Sequence, residues 1–219
     1  MPGAFLLTLG CAKNTSDSDA MRASLEGAGI DIVDELDVAD VAIVNTCAFI
    51  TEATEESIDA ILTLANWKTN RHGRRLVVAG CLASRYGPDL DLELPEVDAF
   101  IPVRAEGEIA ATVAGLFGEA ATPGRSKLRS DAPFAYLTVA EGCSRSCAYC
   151  TIPEIRGPFV SRPVDRVLAD ARDLVETGAK ELVLVGQDTG RWGRDLGGSE
   201  SLADLLRAVA GSGAQRVRT

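Results

Sequence analysis

Residues 141 to 150, EGCSRSCAYC, place Cys143, Cys147 and Cys150 within eight positions. Disulfides use cysteines in even numbers, and a structural zinc site takes four protein ligands. No Cys or His follows closely to supply a fourth, and a carboxylate is a poor companion for thiolates. A short C-x3-C-x2-C loop can instead wrap three corners of a cubane iron–sulfur cluster. An electron carrier of the ferredoxin kind normally brings a fourth cysteine. With three, one iron keeps a coordination position for a substrate or cofactor, and chemistry can take place there.

The other three cysteines are spread out. Cys11 follows LLTLG, Cys47 follows AIVNT, and Cys81 follows LVVAG. The elements that position them are readable from apolar runs and turn residues. Strands are expected at residues 4–9, 41–45 and 75–79, with a fourth in VDAFIPV. GCAKNTSDSD reads as a turn with several possible helix N-caps, and helices are expected at SDAMRASLEGAG, at TEATEESIDAILTLANW (with Thr51 as cap and Ile58, Ile61, Leu62 and Ala65 on one face), and at EGEIAATVAGLF. Strands alternating with helices predict an α/β fold with an open parallel sheet. Right-handed crossovers bring the carboxyl ends of parallel strands to one edge of the sheet, where ligand sites form. Cys11, Cys47 and Cys81 each sit just past such an end, so they are expected to share a site. The alternative, that a small residue merely suits each tight turn, covers three cysteines poorly.

Residues 119–133 are rich in Gly, Pro, Ser and charge without periodicity, and read as a linker between a domain at 1–118 and a second at 134–219. In the second domain, FAYLTVAEG is a strand leading into the cysteine loop. PVDRVLADARDLVETG is a helix with Val164, Val167, Leu168, Ala171, Leu174 and Val175 as its apolar stripe. AKELVLVGQD is a strand, ESLADLLRAVAGSG a helix, and QRVRT begins a third strand. An open βα series leaves strand edges to be covered, so this domain is expected to be the truncated start of a larger (β/α) barrel.

The chain has 219 residues, 46% of them apolar and 25% charged, the balance of a globular protein. The opening MPGAFLLTLGC lacks the basic segment and apolar length of a secretion signal, and no apolar run would span a membrane. A cytoplasmic location is expected, where cysteines serve as metal ligands or reactive groups more often than in disulfides. The net charge of −10 gives no general attraction to nucleic acid phosphates. A single histidine, His72, lies in a polar stretch and reads as a solvated loop residue, which argues against a Ser/His/Asp hydrolase or a His-rich zinc site.

CSRSCAYC, with an aromatic before its last cysteine, resembles the signature of radical S-adenosylmethionine enzymes. LGCAKNTSDSD, VNTCAFITEATEES, VVAGCLASRY, IRGPFVSRP and GQDTGRWG together resemble the methylthiotransferases within that group. The resemblance implies two 4Fe–4S clusters. Cys11, Cys47 and Cys81 would hold an auxiliary cluster. Cys143, Cys147 and Cys150 would hold the radical cluster and, through it, S-adenosyl-L-methionine. It singles out no protein side chain as catalytic. Gln187 and Asp188 would be neighbours of the cofactor or simply a polar strand end, and Arg156 and Ser161-Arg162-Pro163 match family segments without an assignable contact.

Two branches of the family differ in substrate. CAKN, NTCAFI, IPEIRG and GQDTG favour the branch that modifies a ribosomal protein, the RimO type, over the branch that modifies a tRNA adenosine; Ala48, where that branch often carries glycine, is a minor departure. The implied reaction is methylthiolation of the β-carbon of a loop aspartate in small-subunit ribosomal protein number twelve. It would use two S-adenosylmethionine molecules, a sulfur donor and an electron donor protein. Contact with RNA would come only through a C-terminal domain beyond residue 219, and the chain by itself is expected to be inactive. The tRNA enzyme and a non-catalytic iron–sulfur or zinc module remain the alternatives.

Overall fold

The computed structural model describes residues 2–87, 89–122, 124–198 and 200–219. The chain forms two compact units, Met1–Ser126 and Lys127–Thr219. The division falls inside the stretch read from the sequence as a linker, of which Pro123 lies outside the described residues. That stretch is not bare: Ser126 donates through its N–H to Ala23 O (2.9 Å) and through its hydroxyl to Glu26 (2.8 Å), and Leu128 O accepts from Thr177 Oγ1.

The first unit runs β1 (Gly3–Thr8), α1 (Ala12–Gly27), β2 (Asp31–Ile32), β3 (Val41–Thr46), α2 (Thr51–Thr69), β4 (Arg75–Gly80), α3 (Cys81–Tyr86), α4 (Asp89–Glu93), β5 (Ala99–Pro102) and α5 (Ile109–Leu116). Its five strands are all parallel, in the order β2-β1-β3-β4-β5. The central strands VAIVNT and RLVVAG are buried along nearly their whole length, as expected of a sheet covered by helices on both faces. On one face Ile43, Val41, Val77 and Ala79 pack with Met21 and Leu25 of α1 and Ile109 and Val113 of α5. On the other, α2 lies against β3 and β4.

Four features differ from the expectations. The first helix begins at Ala12, six residues before SDAMRASLEGAG, because the polar residues that read as turn and capping signals lie inside it: Lys13, Asn14, Ser16, Asp17 and Ser18 are all buried. Ile50 rather than Thr51 occupies the N-cap of α2, without a side-chain cap. The buried face of α2 is Ser57, Ile61, Leu64, Ala65 and Trp67, while Leu62 is exposed. The edge strand β2, only two residues long, carried no readable pattern.

The second unit runs β6 (Phe134–Thr138), β7 (Ala140–Glu141), α6 (Ile152–Arg156), β8 (Val160–Ser161), α7 (Val164–Glu176), β9 (Glu181–Val185), α8 (Leu202–Ala210) and β10 (Arg216–Arg218). Strands β10, β9 and β6 form a parallel sheet, and β7 and β8 a separate antiparallel ribbon. FAYLTVAEG is therefore two strands, broken at Val139. Val167, Ala171 and Leu174 bury the apolar stripe of α7. Ser201 and Asp204 form a reciprocal capping box on α8, which satisfies two of the amides left open at a helix start. Both units are α/β, as the strand and helix alternation predicted. Among the described residues no helix is long and apolar enough to cross a membrane, and His72 is exposed in the turn before β4.

Candidate metal centres

Three adjacent strands carry the dispersed cysteines. Thr8 of β1 is level with Asn45 of β3, and Asn45 is level with Ala79 of β4. Cys47 directly follows β3, Cys81 directly follows β4 as the first residue of α3, and Cys11 is the N-cap of α1, three residues past β1. Neighbouring strands run about 4.8 Å apart, so level ends bring residues distant in sequence to one edge.

The close approach is visible in atoms. The Cys11 and Cys81 thiols both meet Asn14 Oδ1, at 3.7 and 3.9 Å. A Cβ placed on Gly10 would stand 2.6 Å from Cys47 Cβ and 3.0 Å from its sulfur. Gly10 has φ +88, a conformation open to glycine and strained for a side-chain-bearing residue. Only glycine lets the β1–α1 turn pass against Cys47. Cys47 itself is clamped by Ser57 of α2: its N–H donates to Ser57 Oγ (3.1 Å), and that hydroxyl donates back to Cys47 O (2.8 Å). Thr46 Oγ1 donates to Ala79 O and accepts from Leu82 N–H, tying the ends of β3 and β4 to the start of α3.

Cys47 and Cys81 are buried and Cys11 is exposed. All six cysteines are free thiols. Among the described residues, no group of three or more His, Cys, Asp or Glu side chains closes into a single-ion site. Free thiols at level strand ends, one of them with a glycine turn pressed against it, are donors that an iron–sulfur cluster would take as thiolates.

The second set lies in an irregular loop between β7 and α6. Cys143 is buried at its start, Cys147 exposed and Cys150 half-buried. Gly142 makes the entry possible. It has φ +67, and a Cβ there would stand 2.2 Å from Pro158 O. Cys143 N–H donates to Gly157 O (3.0 Å) and Phe159 N–H to Ser144 Oγ (2.9 Å), so the base of the loop is laced to the segment before β8. Cys150 N–H closes a turn onto Cys147 O (3.1 Å). Tyr149, the aromatic before the last cysteine, is 88% exposed.

Beyond β9, Gln187 carries a buried Oε1 with no hydrogen-bond partner among the described residues. Asp188 pairs with Arg145 of the cysteine loop. The other residues singled out by motif have internal partners. Arg156 reaches Glu141 (3.5 Å), Ser161 bonds Asp195, and Arg162 binds Thr138 O (2.9 Å) and Asp170 (2.6 Å). Sequence reasoning missed Asn14, which it took for a turn residue. It also missed the Gly-Cys pairs at 10–11, 80–81 and 142–143, whose recurrence was a usable signal of tight turns presenting thiols.

Residues 4–102 match the profile described as "Uncharacterized protein family UPF0004". A ribosomal protein uS12 methylthiotransferase RimO of Syntrophus aciditrophicus is 46% identical over 222 residues, covering 94% of this chain and 49% of the relative. The protein of that name from Chlorobaculum tepidum is 39% identical over 217 residues, covering 99% of this chain and 50% of the relative. The chain thus spans about half the length of the curated relatives it matches, and the methylthiotransferase resemblance extends over nearly all of it. Among solved structures, the radical S-adenosylmethionine methyltransferase TsrM from Kitasatospora setae, solved with cobalamin and a 4Fe–4S cluster, superposes with a TM-score of 0.61 at 12% identity over 94% of this chain and 52% of that one. The cobalamin-dependent S-adenosylmethionine radical enzyme OxsB gives 0.57 at 10% identity, over 97% of this chain and 37% of that one. At such identities the likeness is one of fold.

Proposed function

We propose that this chain is part of a radical S-adenosylmethionine methylthiotransferase that acts, as a whole protein, on a loop aspartate of small-subunit ribosomal protein twelve. In the product, the hydrogen on the aspartate β-carbon is replaced by a methylthio group. Two S-adenosylmethionine molecules, a sulfur source and an electron donor protein are consumed or required. Residues 1–118 form the auxiliary-cluster domain and 134–219 the beginning of the radical domain, acting in the cytoplasm, where thiols stay reduced. The observation that carries the reading is the level register of β1, β3 and β4, which sets Cys11, Cys47 and Cys81 at one sheet edge, apart in the chain from a complete three-thiol loop.

Cys11, Cys47 and Cys81 would hold one 4Fe–4S cluster, and Cys143, Cys147 and Cys150 the other. When bound, these clusters and S-adenosylmethionine would supply the hard chemistry, one-electron cleavage of a sulfonium C–S bond, abstraction of the hydrogen from the β-carbon and the delivery of sulfur. The chain's own residues do the positioning. Ser57 and Gly10 fix where Cys47 sits. The Cys143–Gly157 and Ser144–Phe159 bonds hold the base of the second loop. Gln187 offers a buried acceptor next to the residue that tethers that loop.

The test is anaerobic reconstitution of the full-length protein. Two cubanes correspond to about eight irons per chain. Reductant and S-adenosylmethionine should then yield 5′-deoxyadenosine, and incubation with the ribosomal protein should add the mass of a methylthio group. Modification of tRNA in place of the protein would transfer the assignment to the other branch. Zinc alone, with no iron retained, would end it.

A further inference from the structure

We propose that Asn14 is a positioning residue that gathers the Cys11 and Cys81 thiols before any metal is bound. The inference rests on the reading that these thiols belong to a metal centre. Its motive is a single side chain touching what three strand ends deliver. Asn14 Oδ1 receives the thiols of Cys11 at 3.7 Å and Cys81 at 3.9 Å, residues 70 positions apart in the chain. The other end of the same amide donates from Nδ2 to Thr46 O at 2.8 Å, the carbonyl just before Cys47. A carbonyl can only accept, so this bond fixes which end of the amide faces the sulfurs.

The amide is itself held. Asn14 is fully buried, and its backbone carbonyl accepts from Asn45 Nδ2 at 2.9 Å. Asn45 Nδ2 also donates to Ser18 Oγ (3.0 Å), which accepts in turn from Thr8 Oγ1 (2.7 Å). The ends of β1 and β3 therefore converge on the first turns of α1, and Asn14 is the member of that network that reaches the thiols. Two sulfurs sharing one acceptor are kept near each other without a metal, which lowers the ordering cost when a metal arrives. This also accounts for a helix whose first turns bury Asn and Ser where apolar residues would pack as well.

The experiment uses the full-length protein with Cys143, Cys147 and Cys150 replaced by serine, so that only the strand-end thiols report. Two quantities are read without any turnover: the affinity for Cd²⁺, from thiolate-to-metal absorbance, and the rate at which a mild oxidant forms the Cys11–Cys81 disulfide. Asn14→Ala and Asn14→Ser are expected to weaken Cd²⁺ binding by about 10–100-fold, the usual effect of losing a residue that orients ligands, and to slow the disulfide. Ser18→Ala removes a member of the same network that lies off the thiols, and should leave both values near wild type at comparable helicity. Wild-type values in both Asn14 variants overturn the proposal. So does an equal loss in Ser18→Ala, which would mean general loosening of the fold. If the wild-type protein acquires no iron at these thiols, the cluster reading falls, and the Asn14 effect on disulfide formation still decides this inference.

Discussion

Arg145 Nε donates to Asp188 Oδ2 at 2.6 Å, tying the middle of the cysteine loop to the segment that follows β9. The Arg145 side chain is 58% exposed and that of Asp188 13%. The Arg145 hydrogen bond holds the Asp188 carboxyl below the usual carboxylate range against the opposing effect of burial. The same hydrogen bond, together with the charge of Asp188, shifts Arg145 further toward its protonated form.

Such a half-exposed pair contributes little to global stability, but it restrains a loop without regular structure. Asp188→Asn is therefore expected to leave the melting temperature nearly unchanged. Amide hydrogen exchange over residues 144–150 should accelerate. Unchanged exchange in that segment would show that the loop is held by its base alone.

Gly10→Ala should be costly. The substitution places a methyl 2.6 Å from Cys47 Cβ in a backbone conformation with φ +88. Left-handed strain adds about 1–2 kcal/mol and overpacking about 1–3 kcal/mol. Denaturant unfolding should show a loss of roughly 2 kcal/mol or more by those two effects together. Gly73→Ala, with nothing within 4 Å of the new methyl, carries the backbone strain alone and separates the two contributions.

Acid should expose the Ser161–Asp195 joint. Burial raises the Asp195 carboxyl, but hydrogen bonds from Ser161 Oγ and N–H outweigh it, and the net shift is downward. A carboxylate depressed in the folded state contributes stability that is present above its unfolded value, about 3.9. That stability is lost as pH falls through the lower folded value. The difference in unfolding free energy between wild type and Ser161→Ala should be constant near neutrality and shrink in strong acid. Carboxyl titration by NMR should find Asp195 shifted upward in the variant.

The two cysteine sets should lose iron independently. Cys11→Ala is expected to reduce reconstituted iron from about eight to about four per chain and to leave 5′-deoxyadenosine formation in place. Cys143→Ala should remove the other cubane together with that product. A single substitution that emptied both sites would contradict two separate ligand sets.

Removing the Leu174 side chain tests the packing that supports the second unit. Leu174 is 1% exposed on the buried stripe of α7. Leu174→Ala should cost about 2–5 kcal/mol through lost burial and the cavity left behind, measured by denaturant unfolding. Leu62→Ala on α2 should be nearly silent, because that leucine is 44% exposed.

Much of this fold was legible before any coordinates. VAIVNT and RLVVAG are long apolar runs bounded by turns, so β3 and β4 fall within a residue of their expected limits. The stripe of α7 followed from its period. Less visible were elements whose cause lies elsewhere in the chain. β2 has two residues and exists because β1 offers it an edge. The start of α1 was hidden because Asn14 and Ser18 are polar, and polar residues signal turns unless another strand satisfies them. Asn45, Thr46 and Thr8 do so here.

The chemical alphabet of the site is set by sequence alone: two trios of cysteine, one compact and one dispersed, and glycine before three of the six. Spacing determines that Cys143, Cys147 and Cys150 share a loop, because three residues within eight positions can hardly do otherwise. The meeting of Cys11 with Cys81 was decided by tertiary structure. It depends on parallel register across β1, β3 and β4, and on one buried amide that reaches both sulfurs. Local propensity acts over a few residues, whereas register and side-chain convergence are fixed by packing between segments far apart in the chain.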